Sequence, residues 1–166
     1  MRVPVTPDAA GPGQESVWDY PRPPRVERSD REVVVVLDGT EVCRTRRALR
    51  VLETSHPPTW YLPADDWTPG SLRPAPGRSF CEFKGEAAYL DVVAGDRVES
   101  AAAWTYPDPS PGFEALRGTV AVYPARMDRC TVDGEVVRPQ EGGFYGGWVT
   151  GDVVGPFKGA PGTRGW

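Results

Sequence analysis

The sequence predicts a mainly β domain, and three observations carry that expectation. Apolar β-branched runs flank Asp-Gly pairs at Asp38-Gly39 and Asp133-Gly134. Nineteen prolines and nineteen glycines are spread along 166 residues, which cuts the chain into short elements and leaves little room for long helices. Only one stretch of any length carries helical spacing. A chain of this size suits one domain that buries roughly 70% of its unfolded surface.

The elements follow in chain order. Residues 1–16 are rich in Pro, Gly and Ala and are expected to form a disordered tail, with a single domain over 17–159 and a flexible tail over 160–166. "EVVVVLDGTEVCR" (32–44) reads as a hairpin, because both centres of a tight turn need positive φ and Asp-Gly tolerates it. "TRRALRVLE" (45–53) reads as a short helix: Thr45 is a candidate N-cap, Ala48, Leu49 and Leu52 share a side, and Pro57-Pro58 ends it. Further strands are expected at 79–83, 86–93, 96–104, 119–123 and 147–154, with a tight turn at Ala94-Gly95 and one helical turn in "GFEALRG" (112–118). "RCTVDGEVV" (129–137) is the second Asp-Gly hairpin.

Composition removes several classes of function. The net charge is −4, so no basic face is expected for a nucleic acid backbone. Lys84 and Lys158 are the only lysines, and the arginine excess reads first as genome base composition. Cys43, Cys81 and Cys130 lie far apart without a C-x-x-C pair, which argues against a disulfide framework and a structural zinc site. No apolar run approaches eighteen residues and "MRVPVTPDAAGPGQ" lacks a signal-peptide h-region, so the expectation is a cytoplasmic protein with reduced thiols and no membrane partner.

Six ordered blocks carry a family resemblance: "VWDYPRPPRVE" (17–27), "TRRALRVLETSHPPTWYLP" (45–63), "CEFKGEAAYLDV" (81–92), "AAWTYPDP" (102–109), "VAVYP" (120–124) and "GGFYGGWVTGDVVGPFKG" (142–159). Together they resemble the domain of unknown function 427 (DUF427) family. The resemblance implies a compact antiparallel β-tent domain, two sheets meeting at an angle, with one or two short helices. β-tent relatives often hold zinc on four cysteines in two C-x-x-C knuckles; this chain lacks the knuckles, so no metal or other cofactor is expected. Some relatives bind a small ring compound in an aromatic cage, which is an analogy of fold. The family is sometimes labelled nucleotidyltransferase, a chemistry that needs carboxylates on a strand to hold two metal ions. Asp30 with Glu32, Asp133 with Glu135, and adjacent Asp65-Asp66 do not follow that pattern.

The candidate site residues each have two readings. In the glycine-aromatic segment, Phe144, Tyr145 and Trp148 either line a pocket to which Gly142, Gly143, Gly146 and Gly147 admit a ligand, or plug the core between the sheets. Trp104, Tyr106 and Tyr123 stand at strand ends before prolines, where a pocket mouth and ordinary packing are both open; with Tyr61 and Trp148 they favour a ligand site. In "CEFKGEAAY", Lys84-Gly85 is either a hairpin turn, or Glu82, Lys84 and Glu86 alternate along one face and present an anchored lysine. Cys81 reads as a small buried hydrophobe and His56 as a surface or capping residue, each with a nucleophile or base role as the rival. Arg44, Arg46, Arg47 and Arg50 read as a solvated helix face rather than a phosphate grip. The leading expectation is a small-molecule-binding domain with a pocket at the sheet junction lined by Tyr61, Glu82, Lys84, Trp104, Tyr123, Phe144, Tyr145 and Trp148. The rivals are a metal-independent hydrolase or transferase using Lys84, Glu86 or His56 in the same pocket, and a partner-binding module.

Overall fold

Asp38 and Gly39 turn the chain at φ of 51° and 69°, and Asp133 and Gly134 repeat the turn at 47° and 82°. Both are left-handed values that Asp-Gly accepts at the centre of a tight hairpin. The structure, a computed structural model, describes residues 4–166. Its strands in chain order are β1 (Glu15–Ser16), β2 (Arg25–Ser29), β3 (Val33–Leu37), β4 (Thr40–Thr45), β5 (Ala48–Leu52), β6 (Thr59–Pro63), β7 (Leu72–Cys81) and β8 (Gly85–Ala94). They continue with β9 (Arg97–Thr105), β10 (Thr119–Val122), β11 (Arg129–Val132), β12 (Glu135–Val136), β13 (Arg138–Pro139), β14 (Trp148–Val149) and β15 (Val153–Val154).

A large antiparallel sheet runs β2-β5-β6-β10-β9-β8-β7, and a small one runs β12-β11-β3-β4. The sequence-derived fold class, a mainly β domain of antiparallel sheets, is what the chain adopts. The inner faces of the two sheets enclose the main core. Val33, Val35 and Leu37 of β3 meet Trp60, Leu62, Val92, Val120 and Val122 of the large sheet there. The strand alternation decides which residues enter: in β6, Trp60 and Leu62 point into this core while Tyr61 points to the opposite face.

One element differs in type from its sequence reading. Residues 45–53 do not form a helix; Ala48–Leu52 is a strand between β2 and β6, buried along its whole length. A strand covered on both faces and paired on both edges loses the polar-apolar alternation that identifies strands. Thr45 does accept a backbone N–H, that of Arg47 at 2.9 Å, but the chain then extends instead of coiling. Arg50 is therefore not on a solvated helix face. It is 7% exposed, pairs with Glu15 at 3.1 Å and Glu27 at 2.5 Å, and lies over the Trp60 ring. The turn in "GFEALRG" is present as a single 3-10 turn, Glu114–Leu116.

Smaller shifts follow from pairing. The Ala94-Gly95 turn sits one residue later, because Ala94 pairs with Arg97. The strand expected over 147–154 divides into β14, which pairs with β13, and β15, which pairs in parallel with β1. Contacts also run past both boundaries drawn at Val17 and Gly159. Glu15 and Ser16 pair with Val153 and Val154, Thr163 is buried, and the Trp166 ring stands edge-on to Trp18 at 5.3 Å.

Candidate functional site

Alternate side chains of the large sheet's strands collect on the face turned away from the small sheet. Leu49 and Val51 of β5, Tyr61 of β6, Ala121 of β10 and Ala87 of β8 are buried there, joined by Trp104, Tyr106, Phe113 and Leu116. Above them is a cavity of about 320 Å³. Its floor and walls include Tyr61, Tyr89, Trp104, Tyr106, Tyr123 and Cys81, and the chain around Gln140–Gly146 closes over one side.

The floor is held by ring packing and one buried hydrogen bond. Trp104 Nε1 donates to Tyr61 Oη at 3.4 Å, the two rings standing edge to face at 87°. Tyr123 lies 4.6 Å from Trp104, and Tyr106 lies 6.2 Å from Tyr61. The edge-to-face pair matches the ring quadrupoles, and the other two pairs are tilted, at 45° and 39°. Burial raises the Tyr61 and Tyr106 hydroxyls above the ordinary tyrosine value, and burial also raises Tyr123. At neutral pH all three are uncharged groups that can donate or accept. Tyr89 Oη donates to Ser79 Oγ at 2.9 Å on the neighbouring wall.

The glycine-aromatic segment packs onto this floor. A Cβ at Gly146 would lie 2.2 Å from Trp104 Cη2, and one at Gly147 would lie 2.7 Å from the Pro57 carbonyl. Only a residue without a side chain lets the backbone rest on the indole and against Pro57. Gln140 clamps the segment: its amide nitrogen donates to Lys158 O at 2.6 Å, and its Oε1 accepts from Gly147 N at 3.1 Å. Phe144 is 78% exposed at the tip, while Tyr145 turns inward, edge-on to His56 at 5.4 Å.

The polar groups sit at the rim. Lys84 belongs to the turn Glu82–Lys84 that joins Cys81 to Gly85, and its Nζ stands 5.9 Å from the Tyr106 ring centre. It is both a turn residue and a cavity residue. The alternating Glu82-Lys84-Glu86 face does not form: Glu86 is on β8, points away from the cavity, and faces Arg78 at 3.4 Å. His56 donates from Nδ1 to Thr54 O at 3.0 Å, and burial lowers its pKa below the ordinary histidine value. His56, Ser79 and Cys81 all line the cavity, but no hydrogen bond joins His56 to either among the described residues.

Seven of the eight candidate residues, Tyr61, Glu82, Lys84, Trp104, Tyr123, Phe144 and Tyr145, thus surround one cavity. Trp148 does not. It is fully buried in the core between the sheets, stacked on Trp60 at 5.9 Å, with Nε1 donating to Val122 O at 3.3 Å. The cavity is likewise on the outer face of the large sheet rather than at the sheet junction. Sequence reasoning missed Lys158 and Tyr89 as lining residues; the scarcity of lysine was the available signal for the first.

Residues 25–133 match a family described as a domain of unknown function (DUF427). The chain belongs to that family. The DUF427 match spans Tyr61, Lys84, Trp104, Tyr106 and Tyr123, and ends before the glycine-aromatic segment. No curated protein matches the chain. The carboxylates weighed for nucleotidyl transfer lie outside the DUF427 cavity, and four of the six are engaged elsewhere. Glu32 pairs with Arg44 and Arg46, Asp66 with Arg47, Asp133 with Arg31, and Glu135 accepts from Gly151 N. Among the described residues no group of three or more His, Cys, Asp or Glu side chains is placed to hold a metal ion, and no helix is long and apolar enough to cross a membrane.

Proposed function

We propose that this DUF427 domain binds a small molecule by taking a flat ring into the cavity on the outer face of its large sheet. One observation carries the reading: Tyr61 of β6, Trp104 of β9 and Tyr123 just past β10 meet in a cavity of about 320 Å³, which is within the range of ligand pockets. Aromatic faces around a partly closed space offer stacking surface, and the neutral hydroxyls of Tyr61 and Tyr106 offer orienting hydrogen bonds.

The enzymatic alternative is the weaker one. It loses Glu86, which points outward, and the hydrogen-bonded base and nucleophile it requires are not joined at His56, Cys81 or Ser79. Free Cys43, Cys81 and Cys130 fit a reducing compartment, and the cytoplasm is the location we propose.

The test is native mass spectrometry of freshly purified protein, followed by release of any guest under denaturing conditions. A stoichiometric organic guest that Trp104→Ala no longer retains supports the reading. A bare mass, with no Trp104-dependent binding from a library of ring compounds, overturns it.

A further inference from the structure

This cavity is lined by two ammonium side chains. Ion pairs among the described residues are made by arginines, with His56–Glu53 the one exception. Lys84 and Lys158 are the chain's only lysines. They come from regions far apart in sequence, yet both line this cavity, and among the described residues neither has a carboxylate within ion-pair distance. Each ammonium is instead set over a tyrosine ring of the site, Lys84 at 5.9 Å from Tyr106 and Lys158 at 5.8 Å from Tyr145.

The charged groups facing the space do not cancel this. Glu53 and Glu82 are the carboxylates of the lining, with His56 beside Glu53. Glu53 is committed to Arg22 at 3.2 Å, and Glu82 is exposed on the solvent side of the turn, where water screens it. His56 is uncharged at neutral pH because burial lowers its pKa. Lys158 is held in place by its backbone: its N–H donates to Ser55 O at 2.8 Å, and its carbonyl accepts from Gln140. Both lysines are half-buried, so each has given up part of its hydration without an internal counter-charge. An ammonium, unlike a guanidinium, is a compact charge with rotatable donors that suit a single oxyanion in a small space.

Building on the pocket reading above, we propose that the ligand is a flat ring bearing an anionic group, a carboxylate or a phosphate. The ring rests against Trp104 and its neighbours, and the anion is received by Lys84 and Lys158. Binding gives both ammoniums an anionic partner.

The experiment uses four matched probes, benzoate, phenyl phosphate, benzamide and benzylamine, titrated into the full chain and followed by saturation-transfer NMR. Wild type, Trp104→Ala, Lys84→Met, Lys158→Met and the double lysine variant are compared, with far-UV circular dichroism checking each fold. The expected result is that benzoate or phenyl phosphate binds about tenfold or more tightly than benzamide, with the stronger of the two naming the oxyanion. That ratio shrinks in each lysine variant and falls to about one in the double variant. Trp104-dependent binding with benzamide equal to the anions, or benzylamine tightest, overturns the anion inference and leaves the pocket reading standing. An anion preference that survives in the double variant overturns the assignment to these lysines. Absence of Trp104-dependent binding by any probe to millimolar concentration sinks both readings.

Discussion

Gly146 lies directly on the Trp104 indole: a methyl group in place of its hydrogen would sit 2.2 Å from Cη2. Residues more than forty positions apart are thereby fitted to each other, one by having no side chain and the other by having the largest. The ring cannot step aside cheaply, because Tyr123 packs on it at 4.6 Å and Tyr61 accepts its N–H.

Gly146→Ala should therefore lift the segment over 141–146 off the cavity floor. We expect a stability loss of about 1–3 kcal/mol, the cost of overpacking a filled contact, and faster proteolysis within that segment. Urea unfolding and limited proteolysis check both; unchanged cleavage would show that the indole, rather than the backbone, gives way.

The two tryptophans near this segment should behave differently. Trp148→Ala empties the core between the sheets and removes a donor to the Val122 carbonyl, at a cost of about 3–5 kcal/mol. Trp104→Ala opens into an existing cavity, so its loss should be smaller while its effect on ring binding is large. Chemical denaturation of the two variants side by side gives the comparison, and equal losses would place Trp104 in ordinary core packing.

Arg50 is the buried cation between Glu15 and Glu27, and through Glu15 it fastens β1 to the large sheet. Arg50→Ala removes the cation and the cover over Trp60. Because both carboxylates are partly exposed and can rehydrate, the expected cost is about 2 kcal/mol, below that of a fully buried pair. Glu27→Gln should cost under about 1 kcal/mol. Thermal melts of the two variants test the order.

Stability should decline as pH falls through the histidine range. Burial lowers the folded His56 pKa below its ordinary 6.5, so the unfolded chain takes up this proton first. The contribution is complete above about pH 6.5 and shrinks as pH drops from there toward the folded value. Urea midpoints at pH 7.5 and 5.5 should differ in wild type and differ less in His56→Gln. Asp66, held low by Arg47, and Glu99, held low by Arg97 and Arg126, act only further down, below the ordinary carboxylate range.

Much of the local structure was legible because its causes are local. Asp-Gly turns, β-branched runs and proline stops need no knowledge of distant partners, and both hairpins lie where those signals place them. Residues 45–53 were misread for the opposite reason. The strand Ala48–Leu52 owes its burial to β2, β6 and the layers above and below, and burial on every side erases the alternation that marks a strand.

By itself the sequence determined an acidic β-rich chain with two Asp-Gly hairpins, a set of aromatics beside glycines, and a family membership. Tertiary structure alone decided which aromatics face which space. Trp104 and Trp148 look alike in the chain, each large and each in strand-forming surroundings, but side-chain direction alternates at every residue and only one face of the large sheet is covered by the small sheet. Trp104 points from β9 to the uncovered face, under the cavity, whereas β14, paired with β13, sets Trp148 against Trp60 in the core between the sheets. It is also the fold that brings Lys158 to the same cavity as a turn more than seventy residues earlier, because bringing two such segments together depends on the pairing of every strand between them.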